Sequence, residues 1–166
     1  LGILARRTLV ATNTRKCVEA AKGVPIIFFG DRFDYFLNQE GDGGAAKIGG
    51  ASNICTPAMS ERFGSEAVGT IPHALIAVNN GDSEKSAELF NKYFPDIHLI
   101  ALIDFDNDCA GSALTVARKM GEKLWGVRLD TAGELVDKSL ETAIPKFAKK
   151  EISGVNPRLV GAVREA

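Results

Sequence analysis

The run Ile97-His-Leu-Ile-Ala-Leu-Ile103, with Asp104 directly after it, constrains the fold more than any other feature of this chain. A short, continuous apolar run reads as a strand buried on both faces, the usual state of a parallel sheet covered by helices. Four further segments read as strands: 24–30 (Val-Pro-Ile-Ile-Phe-Phe-Gly), a very short one at 47–50, 66–70 and 124–129. Helical patterns lie between them, over 4–21, 31–39, 53–63, 73–78, 82–94, 108–120, 132–150 and 157–165. The first has Leu4, Leu9, Val10, Val18 and Ala21 on its apolar side and Arg6, Arg7, Arg15 and Lys16 outside, with Gly23 as its stop. Gly41-Asp42-Gly43-Gly44 reads as a turn. Pro57 fits a first helical turn or forces a later start, and Pro157 suits a first helical position. Strands alternating with helices predict parallel pairing and right-handed crossovers in a single α/β domain over 1–166. An eight-stranded barrel takes ~250 residues. Five strand segments in 166 residues therefore predict a small open sheet or an incomplete barrel.

Composition removes several function classes. Lys plus Arg is 20 against 21 for Asp plus Glu, a net charge of −1, so there is no overall basic field for non-specific nucleic-acid binding. Cys17, Cys55 and Cys109 are far apart and form no CxxC pair, which fits a reducing, cytoplasmic setting. No apolar run approaches the ~20 residues that cross a bilayer, and no signal segment opens the chain. It starts at Leu1 rather than Met, as a processed product or a piece of a longer protein does.

The unusual polar residues recur just after the predicted strands: Asp31-Arg32, Ser52-Asn53, Thr70 and His73, Asp104 and Asp106, Arg128 and Asp130. That is the carboxyl end of a parallel sheet, where ligands bind in barrels and open sheets alike. Arg32 and Arg128 are planar donors for carboxylate or phosphate. Asp104, Asp106 and Asp130 are suited to ribose hydroxyls or to a Mg²⁺ ion on a phosphorylated substrate. Phe29 can stack on a flat ring, and His73 can serve as base, acid or nucleophile. Each also has a plainer reading: surface ion pairs for Arg32, a hydrogen-bonded structural histidine for His73, helix capping for 104–108, core for Phe29. The segment 104–108 lacks the Gly and terminal Glu of a calcium loop. Together the set points to a small, anionic or phosphorylated, ring-containing substrate.

An ordered series of motifs sharpens this reading. Phe28-Phe29-Gly30-Asp31-Arg32, Gly49-Gly50-Ala51-Ser52-Asn53, Gly69-Thr70-Ile71-Pro72-His73-Ala74, Ile103-Asp104, Gly126-Val127-Arg128-Leu129-Asp130-Thr131 and Gly154-Val155-Asn156-Pro157 resemble the nicotinate phosphoribosyltransferase family, in its shorter archaeal-like branch, over nearly the whole chain. The resemblance implies a partial TIM-like α/β barrel of phosphoribosyltransferase type II, without the family's N-terminal domain and last strands. It also implies nicotinate, phosphoribosyl pyrophosphate and ATP as substrates, Mg²⁺ as cofactor, and a homo-oligomer or an association with the segments not present. Phe29 would stack on the pyridine ring, Arg32 would face the nicotinate, and Ser52 would lie near the ring or its carboxylate. His73 would match the histidine that ATP phosphorylates, Asp104, Arg128 and Asp130 would line the ribose and phosphate region, and Thr70 would be a further substrate-binding residue. Asp104 and Asp106 are the metal candidates. The segment 104–106 is more acidic than the family's usual Asp-Thr-Tyr pattern. Quinolinate or nicotinamide phosphoribosyl transfer, and a non-catalytic subunit of the same fold, are the alternatives.

Overall fold

A computed structural model describes residues 2–32, 35–64, 66–143 and 147–166, apart from the side chains of Arg62, Thr142 and Ala143. It divides into two compact units, Leu1–Gly69 and Thr70–Ala166. The strands are parallel, as the alternation predicts, but they are joined in two separate pairs. Among the described residues no barrel is closed.

In the first unit, helix α1 (Gly2–Ala21) leads to strand β1 (Ile27–Phe28). After a 3₁₀ turn at Phe36–Asn38 come helix α2 (Gln39–Gly49), strand β2 (Asn53–Ile54) and helix α3 (Pro57–Ser60). The predicted helix over 31–39 shrinks to that 3₁₀ turn, and its Phe33 lies outside the described residues. None of the apolar stripe of α1 is fully buried, with Leu4 69% and Leu9 56% exposed.

Two local readings are corrected here. The glycines at 41–44 do not turn the chain but lie inside α2, and the predicted strand at 47–50 is the end of that helix. Close packing is the reason. A Cβ on Gly43 would sit 2.7 Å from the Met59 carbonyl oxygen, one on Gly44 2.5 Å from the Phe63 ring, and one on Gly49 2.6 Å from the Ala11 carbonyl oxygen. Only Gly50, the C-cap at φ 100°, uses the left-handed conformation that glycine favours. The predicted helix over 53–63 starts late: β2 takes its first residues, Thr56 accepts a bond from the Met59 amide as N-cap, and Pro57 opens α3. The segment 66–70 contributes one isolated parallel bridge, Ala67 to Ile54, rather than a strand.

The second unit contains helix α4 (His73–Val78), helix α5 (Ser83–Tyr93), strand β3 (Leu99–Leu102), helix α6 (Cys109–Met120), strand β4 (Leu124–Arg128), helix α7 (Lys149–Ile152) and helix α8 (Pro157–Glu165). Every residue of β3 is buried, as its continuous apolar run requires. Asp82, Asp108 and Asn156 cap α5, α6 and α8 through their side chains. One core cluster joins Ile71, Ile76, Leu99, Leu102, Val116 and Met120, and another joins Ile103, Cys109, Ala113, Leu140, Ile152 and Leu159.

The long helix predicted over 132–150 does not form. A 3₁₀ helix at Lys138–Ala143 and the short α7 replace it, with residues 144–146 outside the described set. Its backbone groups are committed elsewhere: Val136 bridges Ser153, the Val136 carbonyl accepts from Asn107 Nδ2, and the Lys138 amide donates to the Asn107 carbonyl.

Candidate functional site

Strand register assembles the site in the second unit. β3 and β4 run parallel with Leu102 opposite Arg128, and the Ile103 amide donates to the Arg128 carbonyl at 3.2 Å. Residues two beyond each strand end, Asp104 and Asp130, are therefore level with each other. Along β3, carbonyls alternate between its two edges. Ile100 lies three residues before Ile103, so its carbonyl faces the edge away from β4, where it accepts the Ile71 amide at 3.0 Å. This brings residues 70–72 alongside β3, and His73, two residues past Ile71, opens α4 at the same end.

The side chains close a chain of contacts. His73 Nε2 is 3.3 Å from Asp104 Oδ2, and Nδ1 is 4.0 Å from Asp130 Oδ2. Arg128 donates from Nη2 to the same Asp130 oxygen at 2.7 Å and from Nη1 to Thr70 Oγ1 at 3.0 Å. The imidazole is 46% exposed, whereas the Asp104 side chain is 6% exposed. Asp104 Oδ1 is buried with no hydrogen-bond partner among the described residues. The arrangement is a solvent-accessible imidazole held between two carboxylates, one of which is charge-paired with a guanidinium. In the tautomer that donates from Nε2 to Asp104, the ring's lone pair is on Nδ1.

Thus Thr70, His73, Asp104, Arg128 and Asp130 come together as expected from their positions after the strands. Asp106 does not join them through any contact: it is exposed in the turn after β3. No group of three or more His, Cys, Asp or Glu residues converges as a metal-binding cluster among the described residues. A Mg²⁺ ion carried by a phosphorylated substrate needs only one or two carboxylates. The unpartnered Oδ1 of Asp104, with Asp130 beside the same imidazole, fits that requirement; Asp106 contributes nothing visible to it.

The remaining candidates lie in the first unit. Phe29 and Arg32 follow β1, where Phe29 is 37% exposed and Arg32 is exposed. Phe29 also lines a cavity of about 330 Å³ with Arg6, Asn13, Thr14, Cys17 and Phe28. Ser52 stands differently from its expected place. It precedes β2 rather than following a strand, and its amide bonds the Ile26 carbonyl just before β1. It is therefore at the opposite end of the β1–β2 pair from Phe29 and Arg32. The cause is the helical state of 47–49, which moves the strand from before Ser52 to after it.

Sequence reasoning missed the residue that holds the β3–α6 loop. Asp137 is completely buried, and its carboxylate accepts from the Cys109 amide at 3.0 Å and the Ser139 amide at 2.9 Å. Burial works against its charge, but hydrogen bonds from Ser139 and Cys109 outweigh that and hold the carboxyl below its ordinary range. Its bond to the Ser139 amide is local, two residues along the chain, whereas its bond to the Cys109 amide spans 28 residues and has no sequence signal. Cys109, on the same loop, has its thiol pushed up to about 12, first by burial and also by Asp137, which removes it as a nucleophile at neutral pH.

No family model and no curated protein matches the chain. Among solved structures it is similar to nicotinate-nucleotide pyrophosphorylase from Pyrococcus furiosus, with a TM-score of 0.76 and 29% identity. The match covers 96% of this chain and 37% of that one, so the chain spans little more than a third of its neighbour's length. In both sequence and fold, this chain is similar to part of that pyrophosphorylase.

Proposed function

We propose that the chain is part of a phosphoribosyltransferase of NAD biosynthesis that joins nicotinate to the ribose of phosphoribosyl pyrophosphate, with ATP hydrolysis coupled through His73. The observation that carries this reading is His73 held between Asp104 and Asp130 at two strand ends in register. The neighbour's name supports the phosphoribosyl-transfer part of this reading, since a nucleotide pyrophosphorylase forms the bond between base and ribose with release of pyrophosphate or breaks it with pyrophosphate.

In the transfer, the pyridine nitrogen attacks the anomeric carbon, the bond to pyrophosphate breaks, and the electron pair leaves with it. The nucleophile carries no proton, so the step needs no general base. An accessible imidazole oriented by a buried carboxylate is better matched to nucleophilic attack on a phosphoryl group. His73 Nδ1 would attack the γ-phosphorus of ATP, ADP would leave, and water would later cleave the N–P bond. Asp104 holds the Nε2 proton and so keeps the lone pair on Nδ1. Arg128 offsets the charge of Asp130, which would otherwise repel the incoming phosphoryl group. Mg²⁺ bound to the substrate phosphates supplies charge neutralisation, with Asp104 and Asp130 as the groups that would hold it.

Phe29 and Arg32 are proposed for the nicotinate ring and carboxylate, supported by their partial exposure after β1. Incubation with γ-labelled ATP tests the reading. We expect a base-stable, acid-labile label on the chain that is lost in His73→Ala. Label that persists in His73→Ala, or none on the wild type, overturns it.

A further inference from the structure

The second unit carries another feature that the His73 site does not use. A groove of about 680 Å³ runs between α5 and the end of α6, lined by Lys85, Glu88, Leu89, Asn91, Lys92, Lys119, Met120 and Lys123. α5 runs into the start of β3, and α6 runs into the start of β4. Lys92, Lys119 and Lys123 therefore lie at the amino ends of the strands, away from the carboxyl ends that bear Asp104 and Asp130.

Four lysines face one glutamate in this lining, although the chain as a whole has a net charge of −1. Lys119 is paired with Glu88 at 3.1 Å, and Asp82 and Glu84 act on it from the start of α5. Lys85, Lys92 and Lys123 make no ion pair among the described residues; Lys92 stands only over the Tyr93 ring, at 5.6 Å. One reason for Lys92, Lys119 and Lys123 is local, because cations favour helix carboxyl ends. That does not account for Lys85, in the first turn of α5, nor for the four sharing one groove.

The floor is apolar. Leu89 is half-buried and Met120 is 7% exposed. Lys85, Leu89 and Lys92 are spaced i, i+4, i+7 along one face of α5, with Lys119 near the end of α6 and Lys123 in the 3₁₀ turn that follows it. A compact phosphate site gathers backbone N–H groups or an arginine fork around one point. Here the cations are strung along two rims instead. At 1.5 Å per residue, the 11 residues of α5 extend about 16 Å, three helical turns.

We propose that this groove binds an acidic amphipathic helix of a partner polypeptide, with apolar residues at i, i+3/i+4 and i+7 on Leu89 and Met120 and glutamates or aspartates against the lysine rims. Charge complementarity selects the partner, and the groove accepts it as grooves between paired helices accept a third.

A fluorescein-labelled peptide of three to four turns, with Leu at i, i+4 and i+7 and Glu on both flanks, tests this by anisotropy on the 166-residue chain at low salt. We expect saturable binding that weakens at least tenfold in Lys92→Glu/Lys123→Glu. A peptide with the same leucines and Lys flanks should bind that variant in place of the wild type, which a merely misfolded variant would not do. Equal binding of both peptides to the wild type, no effect of the charge reversal, or binding of tripolyphosphate but of neither peptide would overturn the proposal.

Discussion

Replacing Asp137 with alanine should destabilise the second unit far more than an average substitution. Its carboxylate is completely buried and accepts the amides of Cys109 and Ser139. Removing it leaves the buried Cys109 N–H unpaired, at about 1–3 kcal/mol, and the part-buried Ser139 N–H unpaired, at about 1 kcal/mol. The Cys109 amide opens α6, so a favourable charge at that helix amino end is lost as well, worth about 0.3–1 kcal/mol. The expected loss is about 2–5 kcal/mol, a large share of the 5–15 kcal/mol that holds a typical domain. Asp137→Asn keeps one acceptor oxygen and should lose about half as much.

The pH dependence has a definite sign. The folded carboxyl is held below its ordinary value of 3.8, so the folded state binds its proton less readily than the unfolded chain. Its contribution is fully present above that ordinary value and is lost as pH falls through the lower folded value. Urea denaturation at neutral pH and across the acid range, for wild type and both variants, measures this. The wild type should lose stability relative to Asp137→Ala only on the acid side, and the two curves should converge there. A neutral-pH difference below ~0.5 kcal/mol, the scale of an ordinary surface change, would refute the reasoning.

Three further outcomes follow from the site and the helices. Asp104→Asn leaves the imidazole without its anionic partner, and phosphorylation by labelled ATP should fall roughly 10- to 100-fold, about 1.4–2.7 kcal/mol in the barrier, with little change in the urea midpoint. Arg128→Lys cannot span Thr70 and Asp130 with two nitrogens, so the same label should fall and Lys should not rescue Arg128→Ala; full activity in the lysine variant counts against the fork. Gly43→Ala drives a Cβ to 2.7 Å from the Met59 carbonyl oxygen, and thermal unfolding of the first unit should show a loss of about 1–3 kcal/mol.

Much of the second unit was legible in its sequence. The continuous apolar run at β3 marked a strand buried on both faces, and Asp82, Asp108 and Pro157 marked helix starts, because burial and helix-start chemistry act on neighbours along the chain. Parallel strands also determined that polar residues following them would share one end of a sheet, and Thr70, His73, Asp104, Arg128 and Asp130 do. Tertiary structure decided what depends on distant partners. Gly43, Gly44 and Gly49 lie in a helix where Met59, Phe63 and Ala11 approach too closely for a side chain, although in sequence the first two read as a turn and Gly49 as part of a strand. That change displaced β2 and put Ser52 at the other end of its sheet. The segment after β4 lost its predicted helix to bonds with Asn107 and with the Cys109 amide, and the burial of Asp137 there depends on that distant amide. Spacing along a chain reports local burial and capping, whereas close approach and buried hydrogen bonds exist only once the elements have packed.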